Sequence, residues 1–149
     1  MKANLKRIFV ALLALCFTAI TIAPVSASTA DGNEIMPLYN NTESASGSFT
    51  ISSTGLSTIN YKYYGISGIT TKAVITTYIQ KKSLGLFWTR VDIGATDDEW
   101  VDTINSFSGS KKRTYQLSKT GKYRVTINFK IYGSGGSADE ITRTYEASY

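Results

Sequence analysis

Residues 123–131 alternate strictly between apolar and polar side chains. The odd-numbered positions hold Tyr, Val, Ile, Phe and Ile, and the even-numbered positions hold Arg, Thr, Asn and Lys. A period of two sends successive side chains to opposite faces of a β-strand, whereas a helix would scatter the same apolar residues around its circumference. The pattern therefore predicts a strand with one face in the core and the other in water.

Shorter runs of the same kind fill most of the chain after residue 47, and turns that contain glycine separate them. Such spacing is typical of an antiparallel sandwich or barrel. We therefore expect an all-β fold, an antiparallel β-sandwich of about seven to eight strands. A helical turn over residues 97–104 is the less favoured alternative for that segment. The other predicted strands are residues 48–52, 59–63, 71–81, 86–93, 100–107, 114–117 and 140–149. The predicted core residues are Phe49, Ile51, Val74, Ile79, Val91, Tyr123, Val125, Ile127 and Phe129.

The segment that leads into residues 123–131 favours one topology. Residues 117–125 resemble the corner before strand F of immunoglobulin-like domains, where a tyrosine hydroxyl bonds back to the corner backbone. Tyr123 would be that tyrosine, and Val125 would occupy the core position two residues later. The resemblance favours an immunoglobulin-like sandwich over a barrel.

The first 27 residues have the three parts of a secretory signal peptide: a basic head, an apolar run over residues 8–23 and a small-residue exit. Cleavage is expected after Ala27, with a second possible site after Ala30. An N-terminal membrane anchor is less favoured, because the apolar run is shorter than the ~20 residues that a span needs. We therefore expect a secreted, extracellular protein made of a signal peptide (residues 1–27), a polar leader segment (28–47) and a single β-sandwich domain (48–149).

Composition then excludes several kinds of chemistry. The chain has no histidine, and its only cysteine, Cys16, lies in the signal peptide. Disulfides, thiolate nucleophiles, Ser-His-Asp triads and zinc sites built on Cys or His are therefore excluded from the mature protein. Cleavage would remove three of the 16 basic residues and none of the 11 acidic ones, which leaves a net charge of +2. We expect no enzyme activity, no cofactor, no nucleic-acid partner and no membrane span after cleavage.

Aromatic residues are the most suggestive candidates for ligand binding, since the chain has ten tyrosines and two tryptophans. Flat rings on a sandwich surface stack on sugars or anchor protein partners. The alternative is that they are ordinary strand residues that fill the core and cross-strand pairs. The candidates are Tyr61, Tyr63, Tyr64, Trp88 and Trp100. Alternation along the strand places Tyr61 and Tyr63 on one face and Tyr64 on the other.

The densest negative charge lies at Asp97, Asp98 and Glu99, with Asp102 nearby. Carboxylate oxygens are suitable ligands for calcium, and a carboxylate pair is the machinery of glycoside hydrolysis. These four residues lack the spacing of an EF-hand loop, and neighbours on a strand point to opposite faces. They are a candidate calcium site, with a solvated loop as the favoured alternative.

Two short basic runs, residues 81–82 and 111–113, also stand out. They are suited to contact an anionic wall polymer, a membrane surface or nucleic acid. Lysines at hairpin ends and on edge strands, where they prevent edge-to-edge aggregation, are the more frequent explanation.

The order of features resembles an uncharacterised family, a domain of unknown function, of small exported β-proteins from Gram-positive bacteria. The matching elements are a leader with a proline and an aromatic (34–39), a Gly-x-x-Gly-x-Thr-x-Lys stretch (65–72), a strand ending in Tyr-Ile-Gln-Lys (78–81), a glycine–aromatic–tryptophan hairpin, and a Ser-Lys-x-Gly-x-Tyr-Arg-Val stretch (118–125). The resemblance implies export and a β-sandwich, and it implies no known activity or catalytic residues.

We therefore expect a secreted, non-catalytic binding or structural module. A cell-wall polymer, another polysaccharide and an extracellular protein are the candidate ligands. A secreted toxin or antimicrobial protein is the main alternative, because size, export and mild positive charge suit it as well. A hydrolase that uses carboxylates alone is a further alternative.

Overall fold

The computed structural model describes residues 39–149. The predicted signal peptide and residues 28–38 of the predicted leader lie outside the described residues. Within residues 39–149 the chain forms eight β-strands and one short 3-10 turn, Thr96–Asp98. The strands are β1 (Thr42–Ile51), β2 (Leu56–Gly65), β3 (Thr70–Ser83), β4 (Phe87–Arg90), β5 (Trp100–Ile104), β6 (Ser108–Gln116), β7 (Lys122–Gly133) and β8 (Asp139–Ser148).

The strands form two antiparallel sheets. One sheet has three strands in the order β1-β2-β6. The other has five strands in the order β4-β3-β7-β8, and β5 pairs with β3 as well. β4 pairs with Gln80–Ser83 and β5 with Ala73–Thr77, so both lie along the edge of β3 that β7 leaves free. The predicted all-β antiparallel sandwich is confirmed.

The core lies between the inner faces of the two sheets, and alternation decides which residues reach it. On β2, Ile59, Tyr61 and Tyr63 are buried, while Asn60, Lys62 and Tyr64 are exposed. The ring of Tyr61 meets that of Phe129 on β7 edge to face, with centroids 6.0 Å apart. Contact between aromatic rings from the two sheets thus helps to hold them together.

Most of the predicted core is confirmed. Six of the nine residues are buried, and Ile51 and Val91 are partly buried against them. Val74 was assigned to the wrong face, because Ala73 and Ile75 point inward and Val74 therefore lies on the outer face. The run Ala-Val-Ile has no polar member, so its pattern does not distinguish the two faces.

Several predicted strand boundaries also change. β1 begins at Thr42, so residues 42–47 of the predicted leader belong to a strand. β6 begins at Ser108, six residues before the predicted start at 114. Residues 97–104 form no α-helix; they contain the end of the 3-10 turn and the whole of β5. The polar segments were missed because they contain few apolar residues, although backbone pairing holds them in the sheets.

The corner between β6 and β7 has the predicted hydrogen bond. The Tyr123 hydroxyl donates to the Lys119 carbonyl oxygen at 2.5 Å, and Leu117, at the start of the corner, is buried. The tyrosine thereby ties the turn to the strand that follows it.

One end of the sandwich is held by a buried carboxylate. Asp139 accepts hydrogen bonds from the backbone N–H groups of Asn40 (2.9 Å) and Asn41 (2.8 Å) and from the Thr42 hydroxyl (2.8 Å). The Asn41 side-chain amide donates to the Ser137 carbonyl oxygen at 2.9 Å. We call this region, residues 40–42, 65–70 and 133–139, the anchored end.

Candidate functional site

The opposite end of β3 leads into a tight hairpin with β4. The Leu86 N–H donates to the Ser83 carbonyl oxygen at 3.0 Å, and the two residues between them have positive φ, 51° at Leu84 and 70° at Gly85. Successive positive φ angles are the signature of a type I′ turn, which favours Asn, Asp or Gly. Gly85 fits this requirement, whereas Leu84 is held in a conformation that its side chain disfavours.

The hairpin also exposes apolar surface. Leu84 is 90 % exposed, Leu86 73 % and Phe87 65 %, the three highest values among the large hydrophobic residues that the structure describes as exposed. Single exposed apolar residues are ordinary on protein surfaces, but a contiguous group marks a site of interaction. We call residues 84–87 the hairpin tip.

Behind the tip, cations surround a tryptophan on the outer face of the five-stranded sheet. The Lys82 ammonium lies 5.7 Å from the centroid of the Trp88 ring, and the Arg124 guanidinium lies 4.5 Å from it. β3 pairs Lys82 with Trp88 on β4 and Gln80 with Arg124 on β7. Arg124 Nε donates to Gln80 Oε1 at 2.7 Å, which holds the guanidinium in place.

A second cation–aromatic pair lies next to the first. The Arg90 guanidinium lies 3.6 Å from the centroid of the Tyr78 ring and also donates to Glu99 at 3.1 Å. At the β7–β8 side of the sheet, Lys122 forms an ion pair of 2.5 Å with Glu146. Three cations thus lie over two aromatic rings, and Lys122 adds a fourth cation on the neighbouring strand β7. We call this surface the cationic face; it consists of Tyr78, Lys82, Trp88, Arg90, Lys122 and Arg124.

This geometry suits an anionic ligand. A guanidinium stacked on a ring keeps its N–H donors at its edge, where they can bind a carboxylate or a phosphate with two hydrogen bonds. The same stacking leaves less of each ring free for a neutral sugar. The geometry of the cationic face therefore suits an anionic group better than a neutral polysaccharide.

The structure does not bring the five aromatic candidates together. Tyr61 and Tyr63 are buried, because their face of β2 is the inner one, and Tyr64 is exposed on the three-stranded sheet. Trp88 belongs to the cationic face of the other sheet, and Trp100 packs edge to face on Tyr115, with ring centroids 6.1 Å apart. The five candidates therefore form no common surface, and among them only Trp88 lies in the candidate site.

Asp102 has a structural environment of its own. Its side chain points from β5 into the space between the sheets. The carboxylate accepts a hydrogen bond from the Tyr61 hydroxyl and forms an ion pair with Lys111. Arg113 donates Nη2 to Oδ1 at 2.6 Å and Nε to Oδ2 at 3.0 Å. The two cations come from β6, so this network closes the opening between the edges of the two sheets.

The network holds Asp102 ionised. Burial alone would raise the pKa of the Asp102 carboxyl, but hydrogen bonds from Arg113, Lys111 and Tyr61 outweigh that effect and lower the pKa below its usual range. Burial, followed by the neighbouring carboxylate, raises the pKa of Tyr61, so the phenol stays neutral. The result is a carboxylate whose oxygens are occupied by protein donors.

The candidate calcium site is not assembled. Asp97 and Asp98 lie on the 3-10 turn, Glu99 pairs with Arg90, and Asp102 turns inward to its own network. Within residues 39–149 no group of three or more Asp, Glu, His or Cys side chains is placed to hold a metal ion. The four carboxylates were grouped by their proximity in sequence, and the turn followed by a strand directs them apart.

Sequence reasoning missed most of the cationic face. The sequence did hold one signal, the glycine turn at Gly85. Residues equally far from the turn become cross-strand neighbours in a hairpin, which pairs Lys82 with Trp88 and Gln80 with Arg90. Arg124 had no such signal, since its position beside Trp88 depends on the pairing of β3 with β7.

A shallow depression of about 410 Å³ lies elsewhere, on the outer face of the three-stranded sheet. Its walls are mostly small polar residues such as Ser46, Ser48 and Ser110, with Lys62 and Lys112 at the side. It has neither the stacked guanidinium groups nor the exposed apolar surface of the hairpin region.

The described chain is thus an antiparallel β-sandwich with a cationic, aromatic surface beside an apolar hairpin tip. No protein-family model matches the sequence, and neither a curated protein nor a solved structure is significantly similar to it. Among residues 39–149 there is no helix with the length and hydropathy that a membrane span requires.

Proposed function

We propose that this protein is a secreted, non-catalytic binding module whose ligand is an anionic component of the cell envelope, bound by the cationic face. The observation that carries the proposal is the stacking of Arg124 on Trp88 and of Arg90 on Tyr78. Export is supported by the signal-peptide pattern of residues 1–27, and the bacterial envelope by the resemblance to exported Gram-positive proteins.

Preorganisation supports binding at this surface. Ordering long side chains is part of the cost of forming a complex. Arg124 is already held by the Trp88 ring and by Gln80, and Arg90 by the Tyr78 ring and by Glu99. Less side-chain entropy is therefore lost when these guanidinium groups meet an anion.

We also infer that the sandwich has an immunoglobulin-like topology. The strand orders β1-β2-β6 and β3-β7-β8 support this inference, because they match the orders A-B-E and C-F-G of that topology. The tyrosine corner at Tyr123 supports the same assignment. In that arrangement the cationic face belongs to the sheet that contains strand F.

The test is co-sedimentation of the protein, without its predicted signal peptide, with insoluble envelope material. We expect saturable binding to Gram-positive cell walls and to vesicles of anionic lipid, weaker binding at high salt, and no binding to cellulose or chitin. The double variant Lys82→Gln/Arg124→Gln should lose most of this binding. Lys72→Gln is the matched control, because Lys72 also lies over an aromatic ring, that of Tyr132 at 4.7 Å, but near the end of β3 that adjoins the anchored end.

Two results would contradict the proposal. One is binding to neutral polysaccharide that neither salt nor the double variant weakens. The other is the absence of binding to every anionic envelope preparation at concentrations where the protein is folded.

A toxin or antimicrobial function is the second candidate, because the exposed hairpin tip is suited to contact membranes. Killing of bacterial cells or leakage of a dye from vesicles would support it. Binding to vesicles without leakage would favour the binding module.

A further inference from the structure

We propose that the anionic component is the surface of a lipid bilayer, into which the hairpin tip inserts while the cationic face contacts the lipid headgroups. This inference rests on the proposed function and names its ligand.

The tip has the properties of an anchor rather than of an ordinary turn. Leu84, Leu86 and Phe87 each expose most of their surface within four consecutive residues, and Leu84 does so in a left-handed conformation that favours Gly, Asn or Asp. A polar residue at that position would remove both the strain and the exposed apolar surface. Strained residues concentrate at functional sites, where another interaction compensates for them.

The order of chemical groups along the hairpin matches the layers of a membrane interface. A strand advances by about 3.3 Å per residue, so the Lys82–Trp88 pair lies roughly 7 Å behind Leu84, and the Gln80–Arg90 pair roughly 13 Å behind it. Interfacial elements bury their apolar groups by about 5–10 Å at the boundary between headgroups and acyl chains. The tip would thus reach the acyl chains, Trp88 the interface and the guanidinium groups the phosphates.

Charge complementarity selects an anionic bilayer as the occupant. Lys82, Arg90 and Arg124 lie directly behind the apolar tip, where they meet lipid phosphates if the tip inserts. A second copy of the chain is a poorer occupant. The depression on the three-stranded sheet is bordered by Lys62 and Lys112, which would repel the cations behind the tip.

Vesicle binding with matched variants tests the anchor. We expect binding to phosphatidylcholine vesicles that contain phosphatidylglycerol and much weaker binding to phosphatidylcholine alone. The double variant Leu84→Asn/Phe87→Ser should weaken binding by about tenfold or more, because two large apolar side chains no longer enter the bilayer. Asn suits the positive φ at position 84, so this variant should fold.

The control for the tip is Phe107→Ser. Phe107 is also exposed, but its carbonyl oxygen accepts from Gly65 N–H at the anchored end. The Phe107→Ser variant should therefore bind vesicles as the native protein does. Loss of one cation of the cationic face, in Lys82→Gln or Arg124→Gln, should weaken binding by about fivefold, and Lys72→Gln should not.

Depth of insertion gives a second readout. The chain has two tryptophans, so Trp100→Phe leaves Trp88 as the emitter and Trp88→Phe leaves Trp100. Lipids brominated on their acyl chains should quench Trp88 fluorescence, whereas Trp100, packed on Tyr115 at the sheet edge, should be quenched far less.

The outcomes separate this inference from the proposed function. Equal vesicle binding by the tip variant and the native protein, or equal quenching of both tryptophans, would overturn insertion. Binding to cell walls through the cationic face without binding to vesicles would overturn the lipid ligand and leave the proposed function standing. Failure to bind either material would overturn both.

Discussion

At the anchored end, three donors converge on the buried carboxylate of Asp139, and Asn41 links β1 to the loop before β8. At the hairpin end, Leu84, Leu86 and Phe87 extend into water. The two ends lie at opposite termini of β3 and are built from the same kinds of strand and turn. One end satisfies its polar groups internally, and the other leaves apolar groups without a partner.

This difference supports the hairpin end as the proposed ligand-binding surface. A buried carboxylate without hydrogen bonds would be costly, and the anchored end supplies those bonds from two of its backbone N–H groups and from the Thr42 hydroxyl. Within residues 39–149 no part of the protein covers the exposed apolar side chains of the hairpin tip. Its surface is removed from water only if something outside those residues covers it, which is why the hairpin end carries the functional proposals.

Removal of the Asp139 side chain should produce the largest effect on this comparison. Asp139→Ala leaves the N–H groups of Asn40 and Asn41 and the Thr42 hydroxyl without their acceptor, so the free energy of unfolding should fall by about 3 kcal/mol or more. Urea denaturation measures it. Asp139→Asn, which keeps one acceptor oxygen, should lose less.

The matched control is the adjacent, exposed Glu140→Ala, whose partner is Lys130 at the surface. It should change stability little. If both alanine variants were equally stable, the anchored end would not depend on its buried carboxylate, and the contrast between the two ends would lose its basis.

The Asp102 network tests whether a buried carboxylate at the side of the sandwich contributes as much to the free energy of unfolding as Asp139 does at the anchored end. Asp102→Asn removes the anion that Lys111 and Arg113 share. Since those side chains are 44 % and 20 % exposed, water replaces part of the interaction. We expect a loss of about 2–3 kcal/mol, less than for a fully buried pair. Asp97→Asn, on the exposed turn, should have little effect on the same unfolding curve.

The pH dependence of the free energy of unfolding tests whether Asp102 is the group that makes the protein sensitive to acid. The folded-state pKa of Asp102 lies below its ordinary value of 3.8, so the unfolded chain binds the proton more tightly. The stabilisation is therefore present above pH 3.8 and is lost as the pH falls through the lower, folded-state pKa. The native protein should lose stability more steeply than Asp102→Asn in that range. Parallel profiles would assign the acid sensitivity to other carboxylates.

The smallest expected effect has the opposite sign. Leu84→Asn should raise the free energy of unfolding by up to about 1 kcal/mol, because Asn tolerates the positive φ better than Leu. Leu56→Asn, at an exposed strand position, is the control and should bring no such gain. A loss of stability in Leu84→Asn would mean that the tip residue supports the fold, and the functional contrast between the ends would weaken.

The strands could be predicted from local alternation, and the site largely could not. Tyr61 and Tyr63 were separated from Tyr64 by parity alone, and this separation is correct. The pattern did not state which face is covered, so the two buried tyrosines remained candidates for binding. For Asp102 the sequence held a partial signal. Alternation along β5 places Asp102 on the same strand face as the apolar residues Trp100 and Ile104, which indicates that its side chain points inward.

By itself, the sequence determined the all-β class, the antiparallel sandwich and the tyrosine corner at Tyr123, because these depend on residues close together in the chain. Tertiary structure alone decided that Asp102 meets Lys111 and Arg113, and that Arg124 covers Trp88. Those contacts depend on the register between strands and on which sheet lies opposite which. A period of two defines both faces of every strand without specifying what either face will touch.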